Sequence, residues 1–278
     1  QAESFKDQFM QLDDISFIST DLLFMLCRKY PNEKPLISRV VSEHWQVLKY
    51  ASDALKGDHE IVLPAVRQNA LTLQYASNGL KANTGVVLAA VRSNGFALRY
   101  ASEELKADRA VVLAAVKSNA HALSCVPEEL IGDQEFMREA IKENLCAIRY
   151  ASRDLVLEIV SRDGFALEYL SEALKDDRVV VLAAVRNDGV ALEYASDELK
   201  ANPEVVLEAV KQTWYALMFA SEKFKADKDV LMEAVKQTGY VLEYVSDECK
   251  KDVDLAFTAI YSDPEALEYV DEDLKEDE

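Results

Sequence analysis

The residues of this chain whose types could do chemistry are three histidines, four cysteines and an abundance of acids. Their spacing offers little to catalysis. His44, His59 and His121 lie far apart, and none has a second ligand at metal spacing. Cys27, Cys125, Cys146 and Cys249 form no Cys-x-x-Cys pair. They read as plain thiols, with Cys125, Cys146 and Cys249 as core fillers, in an intracellular, reducing compartment; an organelle or secreted-effector origin stays open. No phosphate-cradling glycine loop, nucleophile elbow or paired-carboxylate motif stands out. The expectation is a non-enzyme without catalytic residues, cofactor or metal.

A different chemistry is regularly spaced. Tyrosine returns every 25 residues at Tyr50, Tyr75, Tyr100 and Tyr150 and again at Tyr169, Tyr194, Tyr244 and Tyr269, with Cys125 and Phe219 filling two beats. The interval from Tyr150 to Tyr169 is 19 residues, so one unit has lost six. With the tyrosine as position 0, position −1 reads Lys49, Gln74, Arg99, Ser124 and Arg149, then Glu168, Glu193, Met218, Glu243 and Glu268. Its sign flips across the shortened unit while fold-determining positions beside it do not change, so packing does not demand the flip. Position −4 holds Phe96, His121, Phe165, Tyr215 and Tyr240. Rings beside charges suit recognition of another protein. The candidate protein-binding residues are therefore Lys49, Arg99, Arg149, Glu168, Glu193, Glu243 and Glu268, with Phe96, Phe165, Tyr215 and Tyr240 as aromatic anchors. The tyrosines of position 0 are read as core packing, their hydroxyls reaching the edge.

The elements that position these residues repeat with the same period. Asp58, Asn83, Asp108, Asp133, Asp177, Asn202, Asp227 and Asp252 sit where a helix would start, ahead of apolar runs such as residues 86–91 and 205–210. A second helix is predicted from the cap residues at −6, Asn69, Asn94, Asn119, Asn144, Asp163, Asp188, Thr213, Thr238 and Asp263, with an apolar residue always at −2. Ser-x-x-Leu after the tyrosine predicts a single turn. Units this short cannot bury an apolar face alone and must stack. The fold class follows: all-α, an α-solenoid forming a right-handed superhelix of about ten 25-residue two-helix repeats, one of them shortened near the middle. The loss falls between Leu155 and Val156 and deletes a cap, so strain or a kink is expected there.

Three segments are expected: residues 1–34, an N-terminal helical cap and degenerate half-repeat in which Phe5, Phe9 and Leu12 shield the stack; 35–155, a near-neutral array; and 156–278, an acidic array, in one continuous solenoid. Residues 1–150 carry 17 basic and 19 acidic side chains, a net of −2, whereas 151–278 carry 14 and 31, a net of −17. A field of that sign argues against nucleic acid and acidic lipid as partners. No apolar run approaches the length of a membrane span. The chain opens at Gln1 and stops where another unit would start, so a longer native chain is expected. A rigid array of this kind points to a non-catalytic protein–protein interaction module, a scaffold or an accessory subunit of a larger assembly. The alternatives are an acidic decoy that inhibits a basic nucleic-acid-binding protein, or the binding arm of a longer effector enzyme.

Residues 95–106 (Gly-Phe-Ala-Leu-Arg-Tyr-Ala-Ser-Glu-Glu-Leu-Lys) with 108–119 (Asp-Arg-Ala-Val-Val-Leu-Ala-Ala-Val-Lys-Ser-Asn) closely resemble the repeat family known as domain of unknown function 4116. The likeness covers roughly 35–278 and implies tandem copies without any assigned activity or catalytic residue. The unit is also similar to the leucine-rich repeat variant, which implies a curved superhelix. Pro127, in place of the usual serine, and the 19-residue unit depart from the pattern.

Overall fold

The computed structural model describes residues 9–11, 15 and 18–275. Phe5 and Leu12 of the expected N-terminal cap lie outside the described residues. The chain divides into two compact units, Gln1–Tyr150 and Ala151–Glu278, and within each the same layer recurs.

A layer begins where an Asp or Asn in extended backbone turns its side-chain oxygen onto the first free N–H groups of a helix. Asp58 accepts from Glu60 N at 2.9 Å, Asn83 from Val86 N at 3.0 Å, Asp108 from Val111 N at 3.0 Å and Asp177 from Val179 N at 2.9 Å. These caps satisfy donors that no intrahelical carbonyl can reach. They launch His59–Gln68, Thr84–Ser93, Arg109–Ser118 and Gln134–Glu143 in the first unit and Arg178–Asn187, Pro203–Gln212, Lys228–Val235 and Val253–Ser262 in the second. Spacing of three and four puts one stripe inside: Val86, Val87, Ala90 and Val91 are all fully buried, as are Val205, Val206, Ala209 and Val210. Alanine in that stripe lets the next layer come close.

The second element is helical but of the tighter kind. Gly95–Tyr100, Gly189–Tyr194, Gly239–Tyr244 and their counterparts are 3₁₀ helices of 6 residues, started where the side chain at −6 accepts from the N–H at −4, as Asn94 Oδ1 does from Phe96 N at 3.0 Å. Three residues per turn eclipse positions three apart. Positions −5, −3 and −2 therefore turn inward and −4 and −1 turn outward together: Gly95, Ala97 and Leu98 are buried, Phe96 is half-buried and Arg99 is exposed. This corrects the reading of position 0 as core. The tyrosines close the segment half-buried at its edge, and Tyr244 is 47% exposed. It also corrects Cys146, which occupies an outward −4 position and is exposed, while Cys125 and Cys249 are half-buried and only Cys27 is enclosed.

Layers are joined by hydrogen bonds that recur with the period. The serine N–H after the tyrosine donates to the lysine carbonyl that ends the preceding short turn: Ser77 to Lys56 at 2.9 Å, Ser102 to Lys81 at 2.9 Å, Ser196 to Lys175 at 3.0 Å and Ser221 to Lys200 at 2.9 Å. Pro127 has no N–H and cannot form this rung. Ion pairs link the helix starts. Lys34 reaches Asp58 at 2.7 Å, Arg109 reaches Asp133 at 2.7 Å, Arg153 reaches Asp177 at 2.8 Å and Lys228 reaches Asp252 at 2.8 Å. The capping carboxylates Asp58, Asp177 and Asp252 are held below the usual range, chiefly by these cationic partners; at Asp133 the helix N–H of Phe136 contributes most.

In the shortened layer the missing residues are absorbed by fusion. One helix, Arg153–Val160, replaces both the short turn and the first helix, and Ser152 takes over the cap by accepting from Leu155 N at 3.4 Å. Leu155 and Val156, on either side of the loss, are both buried. The uncapped, strained start expected from the sequence does not arise. Among the described residues no φ is positive and no helix is long and apolar enough to cross a membrane. At the N-terminal side Phe9 is buried, and Arg39 donates from Nη1 to the carbonyls of Phe9 and Met10 at 3.3 Å.

Candidate protein-binding surface

The 3₁₀ segments carry outward residues at −4 and −1 on one face because those positions are a single turn apart. In the first unit, Lys49, Arg99 and Arg149 are exposed. Two of these cations lie on the chain's own rings: Lys49 Nζ is 4.6 Å from the Tyr50 centroid, and the Arg99 guanidinium is 5.6 Å from those of Phe96 and Tyr100. Phe96 stacks on His121 of the next layer at 5.3 Å, and Tyr150 shares a 2.7 Å hydrogen bond with His121 Nδ1. A shallow hollow between these layers is lined by Phe96, Arg99, His121, Ser124 and Cys125.

In the second unit the same positions hold exposed rings and carboxylates. Phe165 is 41%, Tyr215 48% and Tyr240 42% exposed, and Glu168, Glu193, Glu243 and Glu268 are all exposed. The rings touch from layer to layer: Phe165 meets Tyr194 at 6.3 Å, Trp214 stacks on Tyr244 at 5.8 Å and Tyr240 meets Tyr269 at 5.4 Å. Tyr215 and Phe219 meet edge to face at 5.5 Å. The carboxylates act on these rings. The Tyr194 hydroxyl is pushed up by burial and then by Glu193 and Glu168, and that of Tyr269 to about 12, first by its hydrogen bond with Tyr240 and further by Glu243 and Glu268.

Each sequence-predicted site residue thus sits on the 3₁₀ face of its own unit, with rings and charges brought together there. Sequence reasoning missed the contribution of position 0, whose Tyr194, Tyr244 and Tyr269 join the exposed strip, and of Trp214. The signal for Trp214 was present: with Trp45 it is the largest residue in a column that holds glycine or alanine at Ala70, Gly95, Ala120, Gly164, Gly189 and Gly239. The basic column at the end of the first helix serves the stack instead, with Lys117 on Glu143 at 2.8 Å and Arg186 on Glu208 at 3.0 Å. Among the described residues no group of three or more His, Cys, Asp or Glu could hold a metal ion.

The layered, capped repeat defines an all-α tandem-repeat protein of the solenoid class. The family described as a domain of unknown function, DUF4116, matches residues 34–81, 84–131, 111–155, 152–200, 180–225, 202–250 and 227–275, and the chain belongs to it. No curated protein and no solved structure shows detectable similarity to the chain.

Proposed function

We propose that the chain is a non-catalytic protein–protein interaction module, acting as a scaffold or accessory subunit of a larger assembly and engaging its partner through the outward face of its 3₁₀ segments. The observation that carries this reading is the recurrence of an exposed ring beside a charged side chain, on a face the packing does not use. Phe165, Tyr215, Tyr240 and Tyr244 are 41–48% exposed and belong to one series of layers. Contiguous exposed apolar patches mark interaction sites, and aromatic and arginine side chains supply most of the energy at interfaces. A stacked array presents such residues without ordering a loop first, which lowers the cost of association. A reducing compartment and a partner other than nucleic acid belong to the same proposal. They are supported by four free thiols and by the net of −17 in residues 151–278.

The test is quantitative capture from the source cell with the parent chain and with a Glu193→Lys, Glu243→Lys variant. The variant is expected to lose the native partner while its thermal midpoint stays that of the parent, since both residues are exposed. Undiminished capture would remove this face as the binding surface.

A further inference from the structure

We infer that the outward face of residues 151–278 binds an extended, Lys/Arg-rich segment of a partner protein, with a cation placed at each glutamate layer and an apolar side chain at the Met218 layer. This rests on the interaction reading above and adds the chemistry of the partner.

The first unit supplies the template. There the position −1 side chain is a cation in three of five layers, Lys49, Arg99 and Arg149, and two of these lie on the rings of their own layer: Lys49 on Tyr50, and Arg99 on Phe96 and Tyr100. In the second unit the rings remain and the cation is replaced by a carboxylate. Among the described residues no cation lies over Phe165, Tyr194, Tyr215, Tyr240, Tyr244 or Tyr269, and Glu168, Glu193, Glu243 and Glu268 have no ion-pair partner. Other acids of this unit are matched within the chain: Asp177 by Arg153, Glu208 by Arg186 and Lys211, and Asp252 and Asp254 by Lys228. Ring faces without a cation, beside a carboxylate without a counter-charge in every layer but that of Met218, complement a guanidinium or ammonium from outside. The Tyr194 hydroxyl is pushed up first by burial and then by Glu193 and Glu168, the carboxylates of two successive layers.

The spacing selects an extended chain. Packed helical layers lie about 8–10 Å apart, and an extended backbone advances about 3.3 Å per residue, so one layer corresponds to about three residues. The order Glu168, Glu193, Met218, Glu243, Glu268 then asks for cations at the first, fourth, tenth and thirteenth positions of the segment. An apolar residue belongs at the seventh, where Met218 is flanked by Tyr215 and Phe219.

The experiment uses the full chain and a labelled peptide with Arg at those four positions, Leu at the seventh and Ser elsewhere. Binding is read by fluorescence anisotropy at physiological salt, where the field of distant charges is screened within about 8 Å. A second peptide of the same composition has its arginines adjacent. The spaced peptide is expected to bind at least tenfold tighter than the clustered one. A variant with glutamine at Glu168, Glu193, Glu243 and Glu268 and an unchanged thermal midpoint is expected to lose at least tenfold. Met218→Glu is expected to shift preference toward Arg at the seventh position. Equal binding of the two peptides, as a general polyanion field would give, overturns the inference, as does undiminished binding by the glutamine variant or a signal traced by sedimentation to self-association. Loss of the native partner by the Glu193, Glu243 reversal, together with equal binding of the two peptides, would leave the interaction reading standing and remove this one alone.

Discussion

Replacing Gly95 or Gly189 by alanine adds a single methyl group and should be among the most damaging exposed-to-none changes the chain can suffer. A Cβ at Gly189 would lie 2.2 Å from the carbonyl oxygen of Ala209 and 3.0 Å from Thr213 Cγ2; at Gly95 it would lie 2.2 Å from the carbonyl oxygen of Ala115. Both obstacles on the carbonyl side are backbone, on the buried stripe of the next layer's helix, and the Ala209 oxygen already accepts from Thr213 N at 3.1 Å. Relief therefore requires the two layers to separate by about 1 Å, which forfeits much of the dispersion contact across the joint. Overpacking typically costs about 1–3 kcal/mol, and with backbone as the obstacle we expect the upper part of that range. A matched control is Gly79→Ala, where the nearest atom to a new Cβ is Ser77 Oγ at 3.9 Å. In that helical turn the smaller unfolded-state entropy of alanine should stabilise by about 0.4–1 kcal/mol. Urea unfolding of the three variants beside the parent gives the comparison. Unfolding free energies for Gly95→Ala and Gly189→Ala within about 0.5 kcal/mol of the parent, the scatter of neutral surface changes, would refute the claim that these two glycines are needed for their layers to pack this closely.

Three further outcomes are expected. Thr72 is fully buried with its hydroxyl unpaired, so Thr72→Val, which keeps the shape and removes the polar atom, should raise the thermal midpoint by an amount equivalent to about 1 kcal/mol. Lys228→Met should lower the thermal midpoint near neutral pH and leave it unchanged in strong acid. The reason is that Asp252 has a depressed folded pKa owed first to Lys228, so its contribution is complete above the ordinary carboxylate value of about 3.9 and disappears as pH falls through the lower folded value; a midpoint difference that persists in strong acid would contradict this. Timed alkylation followed by mass spectrometry should modify exposed Cys146 first and Cys27 last, since burial both encloses the Cys27 thiol and pushes it up to about 12.

The repeat, its caps and its buried stripe were legible because each depends on local chemistry: a side-chain oxygen two or three residues before an unpaired N–H, and valines three and four apart. The kind of second helix was not. Asn94-Gly95-Phe96-Ala97-Leu98-Arg99-Tyr100 fits either a 3.6- or a 3-residue turn over so short a length, and only stacking against the neighbouring layer selects the tighter one. From that single ambiguity came the misplacement of Cys146 as a filler; Tyr100 and its counterparts, in register with the buried −3, are half-buried because they close the segment at its edge. The candidate strip was legible as columns at −4 and −1, yet their coincidence on one face depends on the three-residue turn. The ion pairs between helix starts, such as Lys34 with Asp58 and Arg153 with Asp177, join residues 24 apart. They could have been sought once the period was known. The rescue of the shortened layer by Ser152 depends on how two elements merge, which spacing alone does not reveal.

A turn of three residues divides each 3₁₀ segment into two alphabets that overlap little. Glycine, alanine and leucine at one set of places spell the architecture, and the remaining pair can be rewritten without editing it. Evolution or a designer can therefore change what a given tier greets, one tier at a time, and expect the edifice to stand.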